Sequence, residues 1–255
     1  FFYNKVVFKN KITREQYVNI DSILCKHFPY YLSLSVAGKA KFISKTLDFI
    51  YNKEIIGRSG IKITDEIRMC IGGCAAQITF GLTKSDFASF TLINVFPESF
   101  RTPTVREKIK GGASVNGKLY FSWKDFQKGL YNPDDNLNLG LHEMAHALKI
   151  DIFNCEDFDK RFEFYLKNWE SIGNLEFQKL KKGESSYLRH YGGTNMEEFF
   201  SVCVEHFFET PESFKERLPD IFHHLCILLN QNPLNITGDY IVSHEFLTSI
   251  QKKCP

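Results

Sequence analysis

The sequence predicts a helix-rich α+β fold with a small mixed β-sheet, on three observations. Strand-like segments cluster in the middle of the chain, between residues 89 and 123, and helical patterns flank them on both sides. The two kinds of element do not alternate regularly, as a doubly wound sheet would require. No internal repeat or low-complexity linker divides the 255 residues, 43% of which are hydrophobic, so one domain over 1–255 is expected.

Residues 12–57 read as helical pieces broken around His27-Phe28-Pro29. Within them, KAKFISKTLDFIYNKE places Phe42, Leu47, Ile50 and Tyr51 at roughly helical spacing. Thr64 is a good N-cap, and Asp65 and Glu66 in the first turn suit the positive end of the helix dipole. That helix should run through MCIGGCAAQITF. SFTLINVF at 89–96 is rich in β-branched and aromatic residues and reads as a strand. ASVNGKLYFSW at 113–123 carries Asn-Gly between two extended runs, the strongest short hairpin signal. Asp134-Asp135-Asn136 can cap the helix that follows. Further helices are expected over 156–181, which is long and charged, and over 195–208 and 211–230.

Composition excludes some partners. Basic and acidic residues nearly balance, 32 against 30, and neither sign forms a block. No basic stripe with interleaved aromatics appears, which argues against a nucleic-acid partner. No apolar run reaches the roughly 18–20 residues needed to cross a bilayer, so no membrane segment is expected in the given chain. The numbering begins at Phe1, and FFYNKVVF is compatible with the trimmed end of something longer, a signal or anchor included. The seven cysteines are odd in number and irregularly spaced, and Cys70 and Cys74 stand four apart rather than as C-x-x-C. Buried reduced thiols, and hence a cytoplasmic location, are expected. The sequon Asn235-Ile236-Thr237 is a contrary mark that matters only for an exported chain. The 25 phenylalanines are most simply a packed core.

The chemistry concentrates in NLGLHEMAHALKI at 138–150. On a helix, His142 and His146 stand on one face a turn apart, so both can direct a ring nitrogen at one metal ion. Glu143, about 100° around the helix, is badly placed as a third ligand and well placed beside a water at that ion. Zinc lowers the pKa of such a water to roughly 7 and polarises a carbonyl. The Glu143 carboxylate would then take the proton and pass it to a leaving amine. Leu141, Met144, Ala145 and Leu148 are left for the core side. Against this stands the ordinary reading, two satisfied histidines on a common helix.

A catalytic zinc needs a third protein ligand and an open position. The class H-E-x-x-H-x-x-G-x-x-H is excluded, because Lys149 stands at the glycine and Ile152 at the last histidine. The alternative is a later glutamate. Glu163 and Glu170 sit in a charged segment where salt-bridged exposure explains them. TNMEEFFSVCVEHFFETPESF is apolar nearly all round, so its carboxylates need a reason. Thr194 and Glu197 match the capping box S/T-x-x-E. Glu198 has no such duty, and a lone carboxylate in apolar company is costly unless paired or metal-bound. Glu205, two turns on, faces the same side and suits either support of a ligand from behind or pairing within the fold. His206 reads as a core histidine, adjacent His223 and His224 point in different directions, and His190 ranks low as a cleft residue.

HEMAHAL, YGGTNMEEFFSVCVEHFFETPESF and NQNPLN together resemble the zinc-peptidase family of Mlc titration factor A, and more distantly the catalytic domain of anthrax lethal factor. The likeness covers about residues 118–235 and implies a zincin-like, gluzincin-type metalloprotease domain with its metal-site core there. It implies one Zn²⁺ per chain held by His142, His146 and Glu198, with Glu143 as general base. It also implies that Tyr191, seven residues before Glu198, donates a hydrogen bond to the developing oxyanion. KLYFSWKD at 118–125 is similar to the family's strand ahead of the metal helix, an edge on which an extended peptide can pair. Met144 replaces the usual Phe, and Lys149 stands where an acidic residue is often found, which puts a supporting role there in doubt. Residues 1–60, a helical N-terminal region, show no such likeness.

The resulting expectation is a zinc-dependent metallopeptidase acting on a peptide or protein substrate. The alternative is a regulatory protein that sequesters a partner such as a transcriptional regulator and carries a secondary or vestigial metal site.

Overall fold

The computed structural model describes residues 12–83, 87–102, 105–154, 166–184, 186–244 and 246. Helix α1 (Arg14–His27) opens with a capping box: Thr13 Oγ1 accepts the Gln16 N–H and Gln16 Oε1 accepts the Thr13 N–H. It stops before Pro29, which begins the short α2 (Pro29–Leu32), as a residue without an N–H can do only at a helix start. In α3 (Val36–Tyr51), Phe42, Leu47 and Ile50 are buried, whereas Tyr51 is 61% exposed at the helix end. Residues 54–57, expected within helical pieces, form strand β1 (Glu54–Gly57), whose Ile55 and Ile56 suit a pleated surface. Helix α4 (Asp65–Ile78) is capped by Thr64, as expected, and almost every residue after its first turn is buried.

Strands β2 (Leu92–Phe96), β3 (Phe100–Thr102), β4 (Val105–Ile109), β5 (Gly111–Ser114) and β6 (Lys118–Ser122) follow. The main sheet has the order β1-β2-β6-β5, parallel across β1, β2 and β6 and antiparallel between β6 and β5. Strands β3 and β4 pair separately. The Asn-Gly signal does mark a hairpin, through the loop Val115-Asn116-Gly117. Gly117, at φ +72°, takes the left-handed position and its N–H bonds Ser114 O. One expectation fails here. Residues 118–122 lie inside the sheet between β2 and β5, so the edge belongs to β5; from Trp123 the chain is already helical, in α5 (Trp123–Tyr131).

Helices α6 (Leu139–Asn154), α7 (Trp169–Lys181), α8 (Met196–Glu209), α9 (Pro211–Arg217) and α10 (Pro219–Leu229) complete the order, with a 3-10 turn at His190–Gly193. Residues 156–165 of the expected long helix lie outside the described residues. The single helix expected over 211–230 is two, because Pro219 holds Leu218 extended, at φ −135° and ψ 62°. A contiguous core joins α1 to α10 and, among the described residues, packs ten fully buried phenylalanines with Trp169 and Tyr31. Cys70, Cys74, Cys203 and Cys226 are buried free thiols. Among the described residues no helix is long and apolar enough to cross a membrane.

Candidate metal centre

Helix α6 is oriented from both sides. Leu141, Met144, Ala145 and Leu148, each at most 1% exposed, face the core as expected. Gly140 lets α6 close on α4 and α5: a Cβ there would lie 2.5 Å from Cys74 Sγ and 2.9 Å from Phe126. The cap differs from expectation. Asn138 Oδ1 accepts the Leu141 N–H at 3.0 Å, while Asp135 turns back to its own loop and takes the Leu137 N–H. His142 and His146 then stand on the face away from the core, ring centroids 4.8 Å apart.

Helix α8 brings the third group. Its N-cap is Asn195, whose side chain accepts the N–H groups of Glu197 and Glu198 at 2.9 Å each. The Thr194–Glu197 capping box is therefore not formed. Thr194 closes the preceding 3-10 turn instead, and Glu197 pairs with Lys149 Nζ at 2.8 Å. Lys149 is thus a clasp between α6 and the first turn of α8.

Glu198 Oε2 lies 2.9 Å from His142 Nε2 and 3.4 Å from His146 Nε2, and the two imidazole nitrogens are 3.2 Å apart. This triangle fits a tetrahedral ion. Bonds of about 2.0–2.1 Å separate neighbouring ligand atoms by about 3.3 Å. Three atoms with lone pairs at this spacing need protons or a cation between them. Among the described residues these three form the group able to hold a metal ion.

Behind the triangle, His142 Nδ1 lies 2.6 Å from Glu205 Oε1, and Glu205 Oε2 accepts the Asn138 N–H at 2.9 Å. Arg189 also donates to Glu205 Oε1. Glu205 is 1% exposed. The Asn138 amide reaches Glu209 Oε1 at 2.9 Å, whose carboxyl burial pushes up to about 8. Burial opposes charge on His142, yet hydrogen bonds with Glu198 and Glu205 outweigh it and carry the imidazole up to about 10 without metal. Glu198 is half-buried, which also opposes its charge, and its two histidine partners nevertheless hold it far below the usual carboxylate range.

Glu143 is 6% exposed and lies against the sheet edge. A Cβ at Gly111 of β5 would be 2.5 Å from Glu143 Oε1, so only glycine leaves the carboxylate this place. Burial raises its pKa, His142 and His146 lower it, and burial prevails. Tyr191, half-exposed in the 3-10 turn, has its ring 5.9 Å from that of His142. Partial burial, Glu198 and Glu143 push its phenol up to about 12.

The structure therefore brings together His142, His146, Glu198, Glu143, Tyr191 and Glu205. Glu170 is exposed, and Glu163 lies outside the described residues. His206 is buried against Tyr187, and burial lowers its pKa to about 4. Sequence reading missed Arg189, Gly111 and Asn138. Asn138, directly before an apolar helix, was readable as a cap; nothing local distinguishes the other two.

The sequence matches the family described as glucose-regulated metallo-peptidase M90 over residues 6–228. An uncharacterized protein of Synechocystis sp. is 27% identical, with 74% of each chain covered. Mlc titration factor A of Klebsiella pneumoniae is 24% identical and that of Cronobacter sakazakii 25%, each covering 81% of this chain and 84% of the relative.

Proposed function

The chain belongs to the glucose-regulated metallo-peptidase M90 family, and from that premise we propose that it is a zinc-dependent metallopeptidase that hydrolyses peptide bonds. The triangle of His142 Nε2, His146 Nε2 and Glu198 Oε2 carries this reading, because its 2.9–3.4 Å edges suit zinc and its three ligands leave a position open. Zinc supplies Lewis acidity, which makes water nucleophilic at neutral pH and polarises a carbonyl. His142 and His146 hold it through Nε2, and Glu205, accepting from Nδ1 of His142, orients that ring.

Glu143 is the general base. Its carboxylate takes a proton from the attacking water and returns it to the leaving amine. Burial suits it to both steps, since a raised pKa brings a carboxylate closer to neutrality. Tyr191 keeps its proton at neutral pH and so can donate a hydrogen bond to the oxyanion that develops on the carbonyl. The edge strand β5, beside Glu143, is where an extended substrate can pair. Elemental analysis should find one zinc per chain, and a peptide-library digest should show cleavage that chelation stops. A zinc-free protein purified without chelator counts against the reading.

The relatives' name, titration factor, favours a second role in which the chain binds a regulatory protein. Partner capture by a chelated protein that persists without metal supports that role.

A further inference from the structure

Arg189 stands where the two halves of the site meet. Its terminal Nη2 donates to Glu205 Oε1, the oxygen that also faces His142 Nδ1, and the same nitrogen is 3.5 Å from that Nδ1. Its guanidinium lies over the Tyr191 ring, 5.6 Å from the centroid. The Nε is buried without a hydrogen-bond partner, so the hold on Glu205 runs through a terminal nitrogen. Glu205 in turn is buried and otherwise held by the Asn138 N–H.

We propose that Arg189 is a positioning residue for the metal centre, holding Glu205 against His142 Nδ1 while its guanidinium carries the Tyr191 ring; this rests on the zinc reading above. A histidine ligates through Nε2 only when its proton is on Nδ1, and an acceptor-only carboxylate at Nδ1 enforces that arrangement. A buried carboxylate keeps its place when a fixed donor holds it, and the planar guanidinium of arginine is such a donor. The same guanidinium fixes the ring of a tyrosine that is otherwise half in solvent. Ligand and phenol thus share one anchor.

The test is competition for zinc between a chromophoric chelator and the full chain as wild type, R189M, R189K, E205Q and E205Q/R189M. Melting of each metal-free protein is followed alongside. R189M should weaken zinc binding about 10–100-fold, the usual cost of losing an outer partner. R189K, which returns a cation to Glu205, should recover part of that loss. Adding R189M to E205Q should cost nothing further, because Arg189 acts on the metal through Glu205. Wild-type affinity in R189M overturns the proposal, as does a full additional loss in the double variant. If R189M melts too low to assay, the comparison of E205Q with E205Q/R189M decides on the same criterion. A wild type that holds no stoichiometric zinc overturns the metallopeptidase reading, and is thereby told apart from a wild type that binds zinc whether or not Arg189 is present.

Discussion

Gln231 and Glu205 are equally buried, each 1% exposed, and each ties separate elements together. Gln231 does so without charge. Its amide donates to Gln77 O and Ile78 O at the end of α4, and its oxygen accepts the Tyr30 hydroxyl at 2.6 Å. Every polar atom involved is matched within the protein. Glu205 is also fully engaged, but the line from it runs through His142 to three lone-pair atoms within 3.4 Å of one another. The first cluster is closed and the second ends in a place for a cation. Burying charge is costly, so a fold that needs only a cross-brace uses an amide. On the metallopeptidase reading proposed above, charge is retained at the second because a cation requires it.

The sharpest break of that comparison is removal of a ligand. H142A or E198A should lose stoichiometric zinc and all peptidase activity, read by elemental analysis and peptide digestion. E143Q should keep zinc and lose about 10²–10⁴-fold in kcat. Full activity in E143Q would sink the mechanism. G111A drives a Cβ to 2.5 Å from Glu143 Oε1. It should lower kcat about 100-fold with zinc retained, since a shift of about 1 Å in a catalytic group is worth that much.

Titration sharpens the contrast further. His142 is raised to about 10 without metal, so zinc must displace a proton from it, and apparent zinc affinity should rise about tenfold per pH unit below that value. The same shifts act on the metal-free fold. A raised imidazole stabilises below its unfolded pKa of about 6.5 and stops doing so as pH climbs through the folded value. The lowered Glu198 stabilises above its unfolded value of about 4.3 and fails as pH falls. The pair should therefore contribute most between about pH 4.3 and 6.5, whereas the Gln231 cluster has no titrating member near neutrality. The smallest effect on the site belongs to Q231L. It should cost about 2–3 kcal/mol of stability by leaving buried acceptors unpaired, and leave zinc affinity unchanged.

Much of this was legible along the chain. The H-E-x-x-H helix, its core face and the Thr64 cap follow from spacing and local chemistry, which act over one or two turns. Glu198 stood out as a carboxylate in apolar company, though its assignment as a ligand came from family resemblance. Errors gathered where the choice between local options is made elsewhere. Thr194 and Asn195 are both good caps, and the 3-10 turn before them selects Asn195. Residues 118–122 read correctly as a strand, but an inner or edge place depends on β5 folding back along it. The four residues of β1 are too few for a periodicity and exist through pairing with β2.

The sequence by itself determined the helix that presents His142 and His146, the helix-rich α+β class and the hairpin, because each rests on periodicity or turn chemistry within a few residues. Only the tertiary structure decided that Lys149 clasps Glu197, that Gly111 makes room for Glu143 and that Arg189 meets Glu205. Those contacts join residues 16 to 48 positions apart, where no local preference acts and packing alone selects the neighbour.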